Sequence, residues 1–425
     1  MAASRLRRAI AAGMAGGDLA EELYELGDYR IATVADALCV CEALKQFPLR
    51  GVPAGEYRVS SPLHAIVGLF QNVETEQAVE VLARRGVPEL CRIFDASLVA
   101  PLDDAEVDAL LFLLKILALY PSCDGTMKIV AAVRRPFHGD RPLWSVILGQ
   151  FTAEHPYAQL VCEELRDPLP EGQLAGAYLD MANQLALSGS SSAHPFDTPA
   201  GKEQLRTWLC SGDRDDVPCA HSAAASLPFV SPPEREDLLA LALDHRDPTV
   251  QIEAAWASAR LGSEGGLKVL ARFCHDPRFH RLACQYLQEL GRAGEVPAET
   301  QDRDFQAMAE MCHWLAHPNE FGRPPESIEQ IDARELNWPP TNDRRRVWLF
   351  RYRYPTEEQG RDDEMGIGMV GSVTFALLGE TTADLAPEDV YALHCCWELE
   401  WLGDARAPKE RSIRAGRRIL RRYNP

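Results

Sequence analysis

The 425-residue chain repeats part of itself at an offset of 29 residues, and this constrains its fold more than any other feature. RDPTVQIEAAWASARLG, which begins at position 246, and HDPRFHRLACQYLQELG, which begins at position 275, share an Asp-Pro pair, an alanine and a closing Leu-Gly. The matched pairs are Asp247 with Asp276, Pro248 with Pro277, Ala254 with Ala283, Leu261 with Leu290, and Gly262 with Gly291. A fainter copy begins 31 residues before Asp247, at Asp216. Self-similarity at this period predicts an array of similar units.

The shared residues suit a unit built from two helices. Aspartate caps a helix N-terminus, and proline is well tolerated in the first helical turn. Alanine lets neighbouring helices approach closely, and a Leu-Gly pair ends a helix with an apolar contact and a left-handed residue. Because one helical hairpin cannot bury its apolar face alone, the repeat predicts that successive hairpins stack into an α-solenoid.

In these residues the chain resembles the short HEAT repeats that also occur in phycobilisome-lyase-like proteins. The shared pattern is D-P-x-V, then A-A, then L-G, and the resemblance extends over about residues 75–318. Family repeats usually carry arginine after the valine, whereas this chain has Gln251 and His280 there. The resemblance implies an α-solenoid that acts as an adaptor or scaffold, and occasionally as an enzyme.

In the rest of the chain, proline, glycine and aspartate residues recur at short intervals and predict where successive helices begin and end. PLDDAEVDALLFLLKIL, from Pro101, is the strongest, because Asp103 and Asp104 suit the positive end of the helix dipole. The predicted organisation is a helical array over 1–190, HEAT-like repeats over 201–318, a proline-rich linker over 319–343, and a small α+β unit over 344–425.

The last unit differs in character from the rest. RVWLFRYRY, 346–354, alternates with period two and is aromatic, which predicts a strand, and GMVGSVTFALLGE predicts a second one. Two helices follow, PEDVYALHCCWELEWL and the basic PKERSIRAGRRILRRY. The unit is therefore predicted to be ββαα, and no strand is predicted in the first 340 residues. The predicted fold class is mainly α.

Charge limits the possible partners. The chain has a formal net charge of −19, and from 341 to 425 acidic and basic residues balance at 14 each, so the first 340 residues carry the whole excess. An acidic surface repels phosphate backbones, which disfavours nucleic-acid binding by the long helical part.

Cysteine usage and hydropathy favour a cytoplasmic protein. The 12 cysteines are scattered without a dense framework, as is typical of reduced thiols. The longest apolar run, ALLFLLKILALY, is shorter than the ~18 residues of a membrane span and contains Lys115. MAASRLRRAI faintly resembles an organelle presequence, but DLAEELYEL soon follows, which favours the first turn of a helix.

GIGMVG, 366–371, matches the G-x-G-x-x-G pattern of dinucleotide-binding proteins. That site needs a strand before the glycines and a helix that opens on them. Here the predicted element after Gly371 is a strand. The glycines are better explained by a tight, bulged entry to that strand, so no nucleotide cofactor is predicted.

Seven histidines and cysteines fall within 44 residues, from Cys274 to His317. Two pairs are four residues apart, His280 with Cys284 and His313 with His317, so that each pair could bind a metal from one helix face. However, Cys284 aligns with Ala255, a packing position of the repeat, and no C-x-x-C or H-E-x-x-H is present. Packing is therefore favoured, and metal binding is the alternative.

His394, Cys395 and Cys396 lie on a predicted helix. A stripe of Val390, Trp397 and Trp401 predicts which face of that helix enters the core, and Cys396 joins it. A catalytic cysteine needs a base and an orienting group, and only the adjacent His394 is evident. Structural packing is the favoured interpretation.

Aromatic and basic residues are concentrated in the C-terminal unit. Trp348 and Tyr352 fall on one face of the predicted strand and Arg351 and Arg353 on the other. Such residues can stack bases and hold phosphates. The negative net charge instead favours a role for the aromatic residues in the core, and for the arginines in docking on an acidic protein surface.

These observations predict a non-catalytic scaffold that binds a partner protein on an acidic helical surface, without cofactor or metal. Two alternatives remain at this level. One is a metal-dependent enzyme that uses the 274–317 cluster, and the other is nucleic-acid binding through the C-terminal unit.

Overall fold

The structure is a computed structural model, and it describes residues 29–46, 67–99, 104–135, 142–190, 193–355 and 363–424, together with positions 7, 8, 11 and 102. Most of the N-terminal segment, for which the sequence predicts the first turn of a helix, lies outside these residues. The chain divides into two compact units, Met1–His245 and Arg246–Pro425. The protein is mainly helical, as predicted, with one small antiparallel sheet near its C-terminus.

The described part of the unit Met1–His245 is built mainly from helices. In chain order they are α1 Val34–Gln46, α2 Glu76–Val81, α3 Val87–Ser97, α4 Asp104–Leu119, α5 Cys123–Val133, α6 Leu143–Leu148, α7 Ala158–Glu164, α8 Gly172–Leu187, α9 Pro199–Cys210, α10 Val217–Ser226 and α11 Glu234–Leu243. A π-helical turn, Leu82–Gly86, joins α2 to α3. Polar caps define several of the starts: the Ser122 side chain accepts a hydrogen bond from Gly125 N, and the Thr198 side chain accepts one from Gly201 N.

These helices pack in two rows. In one row α4 contacts α6, α6 contacts α8, and α8 contacts α10. In the other row α3 contacts α5, α5 contacts α7, and α9 contacts α11. Contacts of α4 with α5 and of α9 with α10 join the rows. As a result, most of these helices lie beside the next helix but one along the chain.

The unit Arg246–Pro425 begins with the clearest repeats. Its first helices are α12 Pro248–Arg260, α13 Glu264–Phe273, α14 His280–Glu289 and α15 Arg303–Leu315. Asp247 caps α12 as predicted, because its side chain accepts a hydrogen bond from Thr249 N at 2.8 Å. The Leu-Gly endings are also confirmed, since Gly262 and Gly291 have φ of 91° and 69°. After Asp276 the chain forms a turn first, and α14 begins only at His280.

The sheet has four antiparallel strands in the order β1-β2-β3-β4, where the sequence predicts two. The strands are β1 Ser327–Trp338, β2 Asp343–Tyr354, β3 Glu364–Val370 and β4 Phe375–Leu378. Three expectations fail here: β1 occupies about half of the predicted linker, it is a strand within the first 340 residues, and GIGMV belongs to a strand instead of leading into one. The prolines at 318, 324, 325, 339 and 340 lie outside β1 and bracket it. The predicted strand β2 is confirmed.

Helices cover both faces of the sheet. On one face, Trp348, Phe350, Tyr352 and Tyr354 pack against α15. On the other face, Val347 and Leu349 belong to a core cluster with residues of α17. The helices after the sheet are α16 Glu380–Ala383, α17 Pro387–Trp401 and α18 Ile413–Tyr423. In the part of the chain that the structure describes, no helix is both long and apolar enough to cross a membrane.

Candidate partner-binding surface

One face of α8 borders a groove in the unit Met1–His245. Ala177, Asp180, Met181 and Gln184 line it, and their i, i+3, i+4, i+7 spacing places them on one side of the helix. The stripe combines a small side chain, a carboxylate and two flexible side chains. Such a mixture does not form a closed apolar core. Asp180 is not among the site residues predicted from the sequence, although a polar residue within this stripe was the available signal.

The two neighbours of α8 in its row form the other walls of this Asp180 groove. Ser145 and Gly149 come from α6 and its C-terminal end, and His221, Ser222 and Ala225 come from α10. The groove has a volume of about 270 Å³. Small side chains on both walls leave it open, and its polar groups are hydroxyls, amides, one imidazole and one carboxylate.

Asp180 dominates the electrostatics of the groove. Its side chain is exposed at the opening, yet the surrounding protein removes water from it, and this burial raises the pKa of the carboxyl group. A hydrogen bond with Ser222 and the charge of His221 oppose the shift without cancelling it. A cation that enters the groove would stabilise the charged form of Asp180, which is less well hydrated here than in bulk water.

A buried polar pair fixes the floor of the groove. Asn183 Nδ2 donates to Ser222 O at 2.9 Å, which ties α8 to α10. Asn183 Oδ1 lies 3.1 Å from His194 Nε2. Burial lowers the pKa of His194 to about 4, so this ring is neutral at pH 7 and donates its proton to Asn183. The groove is thus bounded by side chains whose positions are already set.

The predicted metal candidates fall in two places. His280 and Cys284 are adjacent, with Cys284 Sγ 3.6 Å from His280 Nε2 and also 3.6 Å from Cys274 Sγ. Both ring nitrogens of His280 have partners, since Nδ1 lies 2.7 Å from Cys274 O and Nε2 lies 2.9 Å from Gln306 Nε2. His280 therefore has the environment of a hydrogen-bonded core histidine.

The second predicted pair lies elsewhere. His313 and His317 occupy exposed positions on α15 and just after it, and His317 Nδ1 accepts a hydrogen bond from Asn319 N. Among the described residues, no group of three or more His, Cys, Asp or Glu side chains could hold a metal ion.

The four residues considered for partner binding in the predicted C-terminal unit all have partners within the unit Arg246–Pro425. Trp348 Nε1 donates to Asp304 at 2.8 Å, and Tyr352 OH donates to Leu377 O at 3.1 Å. Arg351 pairs with Glu329, and Arg353 pairs with Asp363, each at 2.8 Å. The two aromatic side chains are more than nine-tenths buried. They line the core on the α15 side of the sheet and offer no open ring face to a base.

The GIGMVG glycines serve close packing. A side chain at Gly366 would collide with the ring of Tyr352, and one at Gly368 would lie 2.5 Å from Met311 Sδ on α15. Gly371 has φ of 113° in the turn that leads to β4. The glycines lie in β3 and in the turn to β4, so a strand follows them where a dinucleotide site requires a helix. The predicted bulge is not at these glycines, since the register of the sheet shifts in β1, between Gln330 and Asp332.

His394, Cys395 and Cys396 are fully buried, in agreement with a packing role. Burial raises the pKa of both thiols. The predicted core stripe is partly wrong, however, because Trp401 is 63% exposed. The core face of α17 is rotated from the prediction and contains Tyr391 and Leu399 with Cys395.

A buried carboxylate network joins α17 to the sheet, and the sequence did not predict it. Glu398 is 1% exposed and accepts hydrogen bonds from Trp338 Nε1 at 2.8 Å and from Ser372 Oγ at 2.7 Å. Arg345 Nη1 donates to Ser372 Oγ at 3.1 Å. Burial raises the pKa of Glu398, but the nearby His394 ring and the hydrogen bonds from Ser372 and Trp338 outweigh it and leave the pKa below its ordinary value.

His394 lies beside this network and makes stability depend on pH. Its Nε2 lies 3.5 Å from Glu398 Oε2, and its ring stacks on Trp338 and Trp397. Burial lowers the pKa of His394. Below pH ~6.5 the unfolded chain therefore binds a proton that the folded chain excludes, and stability falls by up to ~1.4 kcal/mol per pH unit for this group.

We expect the unfolding free energy of the unit Arg246–Pro425 to fall between pH 7 and pH 5. Burial also lowers the pKa of His280, so the wild-type slope contains both histidines. His394→Phe keeps an aromatic ring in the stack and should reduce the slope by about one proton. Urea unfolding at several pH values measures it, and an unchanged slope in His394→Phe would show that His394 titrates normally in the folded state.

No protein-family model, curated protein or solved structure matches this chain.

Proposed function

We propose that the protein is a helical-repeat scaffold that binds a basic segment of a partner protein in the Asp180 groove. The observation that carries the proposal is the Asp180 carboxylate, which lies exposed at the opening of a groove lined by three helices and has a pKa raised by partial burial.

The helical architecture supports a scaffold. The 29-residue repeat, its resemblance to HEAT repeats and the two rows of helices in the unit Met1–His245 are all features expected of an α-solenoid. In such an array each helix contacts mainly its neighbours, and one row presents a continuous surface to a ligand. The groove lies on such a row, where α6, α8 and α10 meet.

The charge of this unit supports a basic partner. Met1–His245 contains 34 acidic and 20 basic residues, so its own field attracts cationic segments. A lysine or arginine that reaches Asp180 would form a charge-assisted hydrogen bond, and Ser145, Gln184 and Ser222 could bind the adjacent backbone.

Selection of peptides on the purified protein tests the proposal. A phage-displayed random peptide library selected on the wild-type protein should yield sequences with Lys or Arg at one fixed position. Asp180→Asn removes the charge and keeps the shape, so affinity for these peptides should fall about 10- to 100-fold. Fluorescence anisotropy with synthetic peptides measures the loss.

Asp237→Asn is the matched control, because Asp237 is an exposed carboxylate on α11 of the same unit. It changes the net charge equally and should leave affinity within about twofold of wild type. The proposal fails if the wild-type protein selects no basic peptides, or if Asp180→Asn binds them as tightly as Asp237→Asn does.

A further inference from the structure

The last helix, α18, presents a face of arginines. Arg414, Arg417, Arg418, Arg421 and Arg422 follow i, i+3, i+4, i+7, i+8 spacing, so they share one side of the helix and border an open groove of about 640 Å³. Arg414 and Arg422 are separated along the helix axis by ~12 Å at 1.5 Å per residue. We call these five residues the arginine face.

The opposite side of α18 holds the helix in place. Ile419 and Leu420 pack on the core cluster of the sheet and α17, and Gly416 lies against the backbone of Ala392. Ser412 caps the start, and Asn424 at the end exchanges hydrogen bonds with Asn337 on β1. Since the apolar side is half-buried against this core cluster, it is engaged in the fold and does not form a free apolar face for insertion into a lipid surface.

Most of the arginine face lacks ion pairs. Arg417 pairs with Asp389 on α17, whereas Arg414, Arg418, Arg421 and Arg422 form none with any described residue. These four unpaired arginines are also exposed. This pattern contrasts with the neighbouring arginines, which do have carboxylate partners.

Ion pairs flank the arginine face. Asp389 lies along one edge. Near the start of α18, Glu400 pairs with Arg411 at 2.8 Å. Near its end, Arg406 pairs with Asp404 and also donates a hydrogen bond to Tyr423 OH. The four unpaired arginines of α18 therefore form one row that is about as wide as a single helix, ~10 Å.

We propose that the arginine face binds an acidic helical segment of a partner protein. Guanidinium groups bind carboxylates in bidentate geometry, and glutamates at i and i+4 of a facing helix match the spacing of Arg414, Arg418 and Arg422. This site is separate from the Asp180 groove and takes a ligand of the opposite charge. Neither proposal depends on the other.

The shape and charge of the surroundings favour this partner over a nucleic acid. Duplex DNA carries one charge per ~1.7 Å and is wider than a single helix, so a row of arginines one helix wide matches only part of its charge. The chain as a whole has a net charge of −19, which repels a polyanion more strongly than a short acidic segment. The aromatic side chains of β2 that could stack bases lie in the core.

Binding of designed probes to the full-length protein tests the inference. The first probe is a fluorescent helical peptide with glutamates repeated at i and i+4, and the second is the same peptide with glutamines. The protein should bind the glutamate peptide at least about tenfold more tightly, and Arg414→Glu/Arg418→Glu should lower that affinity about tenfold or more.

The control double variant Arg84→Glu/Arg344→Glu makes the same change in net charge at side chains that are 76% and 72% exposed. It should bind within about twofold of wild type. Equal loss in both double variants would overturn the inference, as would failure to distinguish the two peptides. Tighter binding of a duplex DNA through Arg414 and Arg418 would replace it with a nucleic-acid site, and self-association that requires these arginines would replace it with a second copy of the chain.

Discussion

Replacement of Glu398 by alanine is expected to destabilise the unit Arg246–Pro425 by about 3 kcal/mol or more, because hydrogen bonds to a buried charged group contribute ~1.5–3 kcal/mol each. The carboxylate accepts from Trp338 Nε1 and from Ser372 Oγ. Without it, the Trp338 indole N–H remains buried with no acceptor, and the Ser372 hydroxyl loses its partner. The truncation also leaves a cavity between α17 and the sheet.

Hydrogen exchange measures this loss in one unit without interference from the other. Amides of α17 and β2 that exchange through opening of the unit should lose protection by more than about 100-fold, at 1.4 kcal/mol per factor of ten. Glu400→Ala is the control on the same helix, because Glu400 is exposed and pairs only with the half-exposed Arg411. Such a pair contributes less than ~1 kcal/mol. Equal protection in the two variants would mean that the Glu398 network does not stabilise the unit.

Elements that depend on local chemistry could be predicted from the sequence. Asp247 caps α12, and Gly262 ends it in a left-handed conformation, because both roles depend on residues within one turn of the helix end. The amphipathic β2 was equally accessible, since its aromatic residues alternate along a single segment. These patterns require no knowledge of the partner element.

The remaining strands lacked such a local pattern. SIEQIDARELNW is an edge strand paired on one side only, and charged side chains interrupt its alternation, so the flanking prolines indicated a linker. In β3 the glycines at 366 and 368 concealed a strand, because their packing against Tyr352 and Met311 depends on tertiary contacts. Edge position and close approach both follow from assembly of the sheet.

The candidate sites illustrate the same limit. The Asp180 groove combines side chains from Ser145 to Ala225, and the Glu398 network joins Trp338 to a residue 60 positions later. Neither set has a spacing that a single segment reveals. The arginine face was visible because all five arginines lie on one helix, but only the structure shows which of them have carboxylate partners.

Gly416→Val is expected to separate α18 from α17. A Cβ atom at position 416 would lie 2.5 Å from the carbonyl carbon and 2.7 Å from the Cα of Ala392, closer than real contacts allow. The obstacle is backbone, so no side-chain rotation relieves it, and the cost should reach about 3 kcal/mol, at the upper end for overpacking. The helix propensity of valine exceeds that of glycine by only about 0.3 kcal/mol and cannot compensate.

Cleavage by trypsin after the arginines of α18 measures this separation. Gly416→Val should be cleaved there about tenfold or more faster than wild type, because the undocked helix opens more often. Gly294→Val is the control, since a side chain at Gly294 meets nothing within 4 Å. Equal cleavage of the two variants would contradict the packing of α18 on α17.

The same variant separates charge from geometry in the arginine face. Gly416→Val retains all five arginines and the net charge, but it removes the docked helix that aligns them. If Arg414, Arg418 and Arg422 bind glutamates through their spacing on a fixed helix, affinity for the glutamate peptide should fall in Gly416→Val almost as far as in Arg414→Glu/Arg418→Glu. Anisotropy titrations of the two variants with this peptide make the comparison. Retained affinity would mean that positive charge alone attracts the peptide and that the order of the arginines along α18 is irrelevant to binding.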